Sequence, residues 1–560
     1  MAAHIPALTF RSQPKRPAWR ALENHCKKLR GQHLRDLFAG DPGRGERLVA
    51  QGAGIYLDYS KNRVTDHTIK LLVQLADESG IQARIDAMFR GEKINTTQKL
   101  PALHVALRAP RGAAIFVDGE NVVPQVQSVL DKMTRFSEAV RRGDWKGQSE
   151  KRIRNVINIA AGGFDMGPAM AYHALKDYSD RNMRFRFVSN FDASDFADAV
   201  HDLDPLETLF IICSEHFDDP ETIANARAAR AWVAAGLGEE KKGISRHFVA
   251  VTSNGGEAAS FGIDSTNVFP LWEWVGERYS ISSATGLSTM MAIGAGNFRA
   301  MLDGCHQMDM HFLTAPFDKN LPVLLGLLTV WYVNFLGVQA VAVLPYAHRL
   351  RWFPEYLGQL AMGSNGRHVT VIGTDVTRPT SPVYSGEVGT RSQHSFCSFL
   401  HQGTMLVPCD LIVFGRPVGL TEENHDVLAA NAVAEAEILA FGKESSQATD
   451  ETGPEWLCRH RVLDGNHPSS TILADKLTPE TLGKLIALYE HSVFTQAMIW
   501  NINSFDGWYG QVAEPLSQRI ITELGSAEEP RLEHDSSTNA LIRHYRRIKT
   551  AGSLSSCQAK

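Results

Sequence analysis

Along the chain the period of the apolar positions changes, and the changes mark out its organisation. Up to about Pro110 the spacing is helical: HTIKLLVQLADESGIQARIDAMF (67–89) sets apolar residues three and four apart, which predicts amphipathic helices. From about Ala114, short apolar runs alternate with helical stretches. VINI leads into a Gly-rich turn and a helix (156–175), and FRFVSNF, TLFIICS and HFVAVTS read as further buried strands. Such alternation predicts βαβ units and parallel sheets flanked by helices, an α/β fold. A second alternating block begins after about Phe298, with strands predicted at VQAVAVLPY, HVTVIG and CDLIVFG and long helices over 425–442 and 478–502. The run LPVLLGLLTVWYVNFLG (321–337) is nearly apolar enough for a membrane span. Asn334, the closing Gly337 and the strand that follows favour a buried core helix instead. KESSQATDETGPEW (443–456) reads as a surface loop, and the tail starts helical and basic, then frays.

Composition sharpens this only in part. The 560 residues, 44% hydrophobic and 21% charged, are those of a globular protein with more than one packed unit. A net charge of −5 gives no general reason to expect nucleic acid or an anionic membrane as partner. Seven scattered cysteines without a CxxC pair suit a reducing compartment, and the N-terminus lacks the apolar core of a signal peptide. The expectation is a soluble, cytoplasmic protein. Cys397, His401 and Cys409 fit no metal-ligand spacing, so no metal and no cofactor are expected.

In open α/β sheets ligands sit beyond the carboxyl ends of the strands, which singles out the turns after VINI and LFII. The second, within LFIICSEHFDDPETIANA (209–226), leads from a strand to a helix start, the setting in which free N–H groups bind anions. Its side chains point the other way. Glu215, Asp218, Asp219 and Glu221 crowd it without a Lys or Arg, and Pro220 removes one N–H. Asp219 as N-cap, Pro220 at the first helical position and Glu221 in the first turn also make an ordinary helix start. Each carboxylate near a bound dianion costs on the order of 1 kcal/mol at a partly screened surface.

Several stretches resemble the glucose-6-phosphate isomerase (phosphoglucose isomerase) family. They include DYSKNRVTD (58–66), MFRGEKIN (88–95), LHVALR (103–108), WVGERYS (274–280), DKNLPVLLGLLTVWY (318–332), HQGT (401–404) and HDSSTNALI (534–542), so the resemblance spans nearly the whole chain. It implies two αβα sandwich subdomains of the sugar-isomerase type, over 114–290 and 291–504. A helical N-terminal region (1–113) would pack on the larger subdomain, with a C-terminal arm over 505–560 and a homodimer with shared sites.

The resemblance also shows what differs. The family's catalytic Glu, in Met-Glu-Ser-Asn-Gly, is here Gly363 in MGSNG. In FDGWYGQVAE, Gly507 replaces a Gln and Glu514 the Lys that assists ring opening. Arg278 is kept, but Glu277 stands for a Gly. The phosphate loop Ser-Lys-Thr-Phe-Thr-Thr-x-Glu-Thr becomes SEHFDDPET (214–222). It keeps Ser214, Glu221 and Thr222 and brings in Glu215, His216 and Asp219. In Gly162-Gly163-Phe164-Asp165, Phe164 replaces a Ser. His394 matches the ring-opening His and Glu221 its orienting carboxylate, while Gln359 also matches a site position.

Glu215, Asp219, Glu277 and Glu514 thus turn a cation-lined pocket towards negative charge. This predicts an isomerase-fold enzyme repurposed for acid–base chemistry (tautomerisation, elimination or cyclisation) on a small, positively charged molecule without phosphate. His394, Glu221, Arg278 and Glu514 would be the catalytic group, with Gly163, Phe164, Ser214, Glu215, His216, Asp219, Thr222, Glu277, Gln359, Gly363 and Gly507 lining the site. The alternatives are a silent homologue with a binding role and glucose-6-phosphate isomerase itself.

Overall fold

The computed structural model describes residues 16–237, 245–419, 422–443, 460 and 462–557, so the loop predicted at 443–456, beyond Lys443, lies outside the described residues. The chain divides into two compact units, with the boundary between Ser504 and Phe505.

The first unit opens with helices α1 (Pro17–Leu29) and α2 (Asp66–Glu78), as the period predicts, but between them lies a hairpin that helical spacing does not reveal. Strands β1 (Val49–Gly52) and β2 (Ile55–Asp58) pair antiparallel across Ala53 and Gly54, both at positive φ (49° and 74°), the backbone of a tight two-residue turn. A two-stranded ribbon follows, β3 (Phe116–Val117) with β4 (Glu120–Asn121).

Strands β5 (Asn155–Ala160), β6 (Arg184–Val188), β7 (Thr208–Cys213), β8 (Phe248–Thr252) and β9 (Val268–Pro270) form an all-parallel sheet in the order β6-β5-β7-β8-β9. β5, β7 and β8 are buried on both faces, which is why they read as continuous and not alternating, whereas the edge strand β6 alternates Arg and Phe with Arg184 exposed. Helix α3 (Met166–Ala174) connects β5 to β6, and α4 (Pro220–Leu237) connects β7 to β8. Ala226, Ala229 and Val233 of α4 pack on Ile157, Ile159, Phe210, Ile212 and Phe248 in one buried cluster.

The second block contains α5 (Ala295–Thr314), the apolar α6 (Leu321–Phe335), β10 (Ala340–Pro345), α7 (Phe353–Asn365), β11 (Val383–Gly386), β12 (Cys409–Arg416), α8 (Glu422–Phe441), β13 (Ser469–Lys476) and α9 (Pro479–Trp500). The sheet order is β1-β2-β13-β12-β10-β11, parallel except where the N-terminal hairpin joins it antiparallel through β2 and β13. Nearly all of α6 is buried, and no helix among the described residues is long and apolar enough to cross a membrane. Helices α5 and α9 cross in close contact. A Cβ on Gly304 would lie 1.9 Å from the Glu480 carbonyl oxygen, and one on Gly483 1.9 Å from that of Met301, so both positions require glycine.

HVTVIG (368–373) is not a strand. Thr370 and Thr374 close a tight turn on each other, with Gly373 at φ 79°, and only an isolated bridge joins Val369 to Asp375. The alternation there is real, but no neighbouring strand pairs with it.

The second unit (505–560) holds α10 (Trp508–Gly525) and α11 (Ser536–Cys557), so the tail stays helical to Cys557. Glu523 ties it together, accepting from His534 Nε2 at 2.7 Å while its carbonyl accepts from Arg546 at 2.6 Å.

Candidate active site

The turns after β5 and β7 leave the carboxyl end of the parallel sheet. Gly163 lets the first press against residues 277–278: a Cβ there would lie 2.7 Å from Cβ of Glu277 and 2.9 Å from the Arg278 backbone nitrogen. Gln359 of α7 donates to the Gly162 carbonyl at 2.6 Å, which ties the second block to the same turn.

Four residues further along α7, Gly363 lies under Arg278, whose Cδ would be 2.7 Å from a Cβ at that position. The guanidinium occupies the room left by the missing side chain. Its Nε donates to Ser364 Oγ at 3.2 Å and its Nη2 to the Ser504 carbonyl at 3.3 Å, and Ser364 is also bonded to the Tyr279 hydroxyl at 3.1 Å. Ser364 and Tyr279 were not singled out in the sequence. Their neighbours Gly363 and Arg278 were the only signal.

The acidic turn is built as a helix cap. Asp219 accepts from the Thr222 backbone N–H at 3.2 Å and from the Thr222 hydroxyl, so two site candidates satisfy each other. Phe217, at φ 60°, turns into the core 5.7 Å from the Phe261 ring, and the strain of that backbone is held by burial. Ser214 is buried, and its hydroxyl has no hydrogen-bond partner among the described residues. Phe164 is buried beside the first turn. Exposed His216 lies 3.3 Å from Ser253 Oγ.

The Glu215 carbonyl accepts from Ser253 N–H (2.8 Å), Thr252 Oγ1 (2.9 Å) and Ser253 Oγ (2.6 Å). With its backbone pinned, the carboxyl is held in a poorly solvated position. Burial, helped by the charges of Glu277, Glu273 and Asp218 and opposed by His216, pushes it up to about 7. Asp165 is pushed up to about 6, first by burial and then by Asp195 and Glu355 against a hydrogen bond from Ser189. Burial and neighbouring Asp219 raise Glu221.

The Glu215 shift makes a stability prediction. The folded carboxyl titrates near 7 and the unfolded one near 4.5, so between these values the native state holds the extra proton and stability falls as pH rises. Glu215→Gln is expected to match the parent at pH 4 and exceed it by roughly 1–3 kcal/mol at pH 8. Denaturant midpoints at the two pH values check this.

His394 is exposed, between the short helices Gly389–Ser392 and Phe396–Gln402. Within the described residues its imidazole makes no hydrogen bond, to Glu221 or to any other group. Gly507 and Glu514, both exposed, belong to the second unit, as the residue before α10 and within it.

Comparison with known proteins places this geometry. The family pattern described as phosphoglucose isomerase matches residues 58–542. A glucose-6-phosphate isomerase of Syntrophus aciditrophicus (strain SB) is 59% identical over 532 residues, 95% of this chain and 97% of that one. The chain belongs to the phosphoglucose isomerase family. A glucose-6-phosphate isomerase of Roseiflexus sp. (strain RS-1) is 57% identical, covering 95% of this chain and 98% of that protein. The crystal structure of a glucose-6-phosphate isomerase from Chlamydia trachomatis D/UW-3/Cx matches with a TM-score of 0.83 at 28% identity, over 96% of this chain and all of that one.

These relatives overturn the expectation of a phosphoglucose isomerase fold recruited to a cationic ligand without phosphate. Eight proteins 55–59% identical to this chain, over 95–97% of its length, are glucose-6-phosphate isomerases. The structure supplies the physical reason. The expectation counted four carboxylates as four free charges around one pocket. Asp219 instead caps a helix, and burial pushes the Glu215 carboxyl up to about 7.

Proposed function

We propose that this member of the phosphoglucose isomerase family interconverts glucose 6-phosphate and fructose 6-phosphate. The supporting observation is identity of 55–59% along nearly the whole chain to proteins of that activity. The reaction moves a proton between adjacent carbons through an enediol, so it needs a cation for the developing oxyanion and a group to carry the proton. Arg278, held by Ser364 and the Ser504 carbonyl, supplies the cation. His394, exposed and with its imidazole unbonded within the described residues, is assigned ring opening, and the turn with Ser214 and Thr222 receives the phosphate end.

The proposal includes an altered centre. Gly363 stands where the resemblance expects the carboxylate that carries the proton, and a glycine cannot serve as a base. Glu215, in the turn after β7, has a carboxyl that burial and the nearby charge of Glu277 push up to about 7, and it is the group assigned here to proton transfer. The reading is therefore a slow isomerase. A coupled assay from fructose 6-phosphate is expected to give turnover proportional to enzyme, below that of a relative carrying the Glu. Arg278→Ala should lower kcat/KM a further 10²–10³-fold, roughly the effect of removing one oxyanion donor. Turnover indistinguishable from a no-enzyme blank would overturn the proposal.

A further inference from the structure

A cavity of about 550 Å³ opens beside β6, the edge strand of the five-stranded sheet. It lies where β6 begins, at Arg184, whereas the turns described above leave the other ends of the parallel strands β5 and β7. Its volume falls in the range of small-molecule sites, about 300–1,000 Å³.

The lining is basic. Lys176, Arg181, Arg184, Arg186 and Arg349 border it, against Asp177 and Asp180. Asp177 is taken up by a bidentate pair with Arg349 at 2.6 and 2.8 Å. One carboxylate just outside the lining, Asp202, serves both Arg186 (2.6 Å) and Arg184 (3.3 Å). Asp180 accepts from the Asn182 backbone and side chain. Five cations thus meet three carboxylates, and Lys176 and Arg181, both exposed, have no partner among the described residues. The hydroxyls of Tyr172 and Ser179, also on the lining, are likewise without a hydrogen-bond partner there. A point charge, a planar guanidinium fork and two hydroxyl donors therefore converge on one concave space. The Tyr172 and Phe185 rings, 5.4 Å apart, add an apolar side.

We propose that this cavity binds a small anion bearing a diphosphate group, at a site separate from the isomerase centre. A diphosphate has enough negative charge to answer both unpaired cations and enough oxygens to accept from both hydroxyls. The inference does not depend on the isomerase reading.

The test is calorimetric titration of the full-length protein with pyrophosphate and, separately, with ADP. The parent is expected to bind pyrophosphate with Kd below about 1 mM. Lys176→Glu/Arg181→Glu should weaken that event by about tenfold per reversed charge, leaving the KM for fructose 6-phosphate unchanged. Both residues are exposed, and the neutral pair Lys176→Gln/Arg181→Gln, expected to give an intermediate loss, guards against misfolding of the charge reversal. Tighter binding of ADP than of pyrophosphate would identify a nucleotide as the source of the diphosphate, and the reverse order a bare diphosphate. No binding by the parent, or identical isotherms for parent and charge-reversed protein, would overturn the assignment.

Discussion

Replacing Gly363 by glutamate is expected to raise kcat for fructose 6-phosphate by roughly 10²–10⁴-fold, the usual contribution of a positioned acid–base group. The site is prepared for the change in one respect and obstructed in another. Position 363 lies on α7, one residue before Ser364, which holds Arg278, and four after Gln359, which is tied to the Gly162 carbonyl. A carboxylate there would share a helix face with Gln359 and lie against the Arg278 side chain. The obstruction is Arg278, whose Cδ would be 2.7 Å from the new Cβ. Those atoms belong to a flexible side chain, so the guanidinium can swing aside and still face the new carboxylate across a charged hydrogen bond. Gly363→Gln is the control, since it asks the same of Arg278 without supplying a base. If the Glu and Gln variants give equal rates, position 363 is not where the proton is carried. A gain confined to Gly363→Glu, with a new acidic limb in the pH–rate profile, is the expected result.

Much of the fold was legible because the buried strands announce themselves. VINI, LFII and FVAV are buried runs, apolar but for Asn158, and each belongs to a strand of the first sheet. What was missed is short or polar on one side. The β1–β2 hairpin has four residues per strand, β11 has four, and SSTILADK of β13 keeps polar residues among its apolar ones. HVTVIG failed for the opposite reason, having a strand's pattern and no partner. The site was legible as a set of letters and illegible as charge. Gln359 meets the Gly162 carbonyl across 197 positions, a contact no spacing rule anticipates. The acidic substitutions looked like a change of ligand because a sequence shows a carboxyl and not its environment. The same letters read differently once Asp219 is seen bonded to Thr222 and Glu215 is seen poorly solvated.

The largest expected loss of stability comes from Arg108, at the end of the segment LHVALR. Its guanidinium is fully buried between α5 and α9. Nε and Nη2 donate to the two Asp309 oxygens at 2.7 and 2.6 Å, and Nη1 donates to Glu490 at 2.7 Å. His491 Nε2 lies 2.7 Å from the same Asp309, with the Phe312 ring stacked on His491 at 4.2 Å. Arg108 and His491 hold the Asp309 carboxyl far below the ordinary range against the burial that opposes them. For Glu490 burial wins and pushes the carboxyl up, with Arg108 opposing. Methionine at position 108 fills similar volume but strands two carboxyls in a dry interior, an error that costs about 3–5 kcal/mol. Removing the charges with the cation changes the outcome. Arg108→Met/Asp309→Asn/Glu490→Gln is expected to recover a large part of the loss, because no ion is then left unpaired. The single variant should also be less impaired at pH 5 than at pH 8, since the orphaned carboxyls can take up protons at the lower pH. Denaturant unfolding of the three proteins at both pH values gives the answer. A single variant within about 1 kcal/mol of the parent at pH 8 would mean that water or rearrangement reaches the pair, and that this buried network does not hold the two helices together.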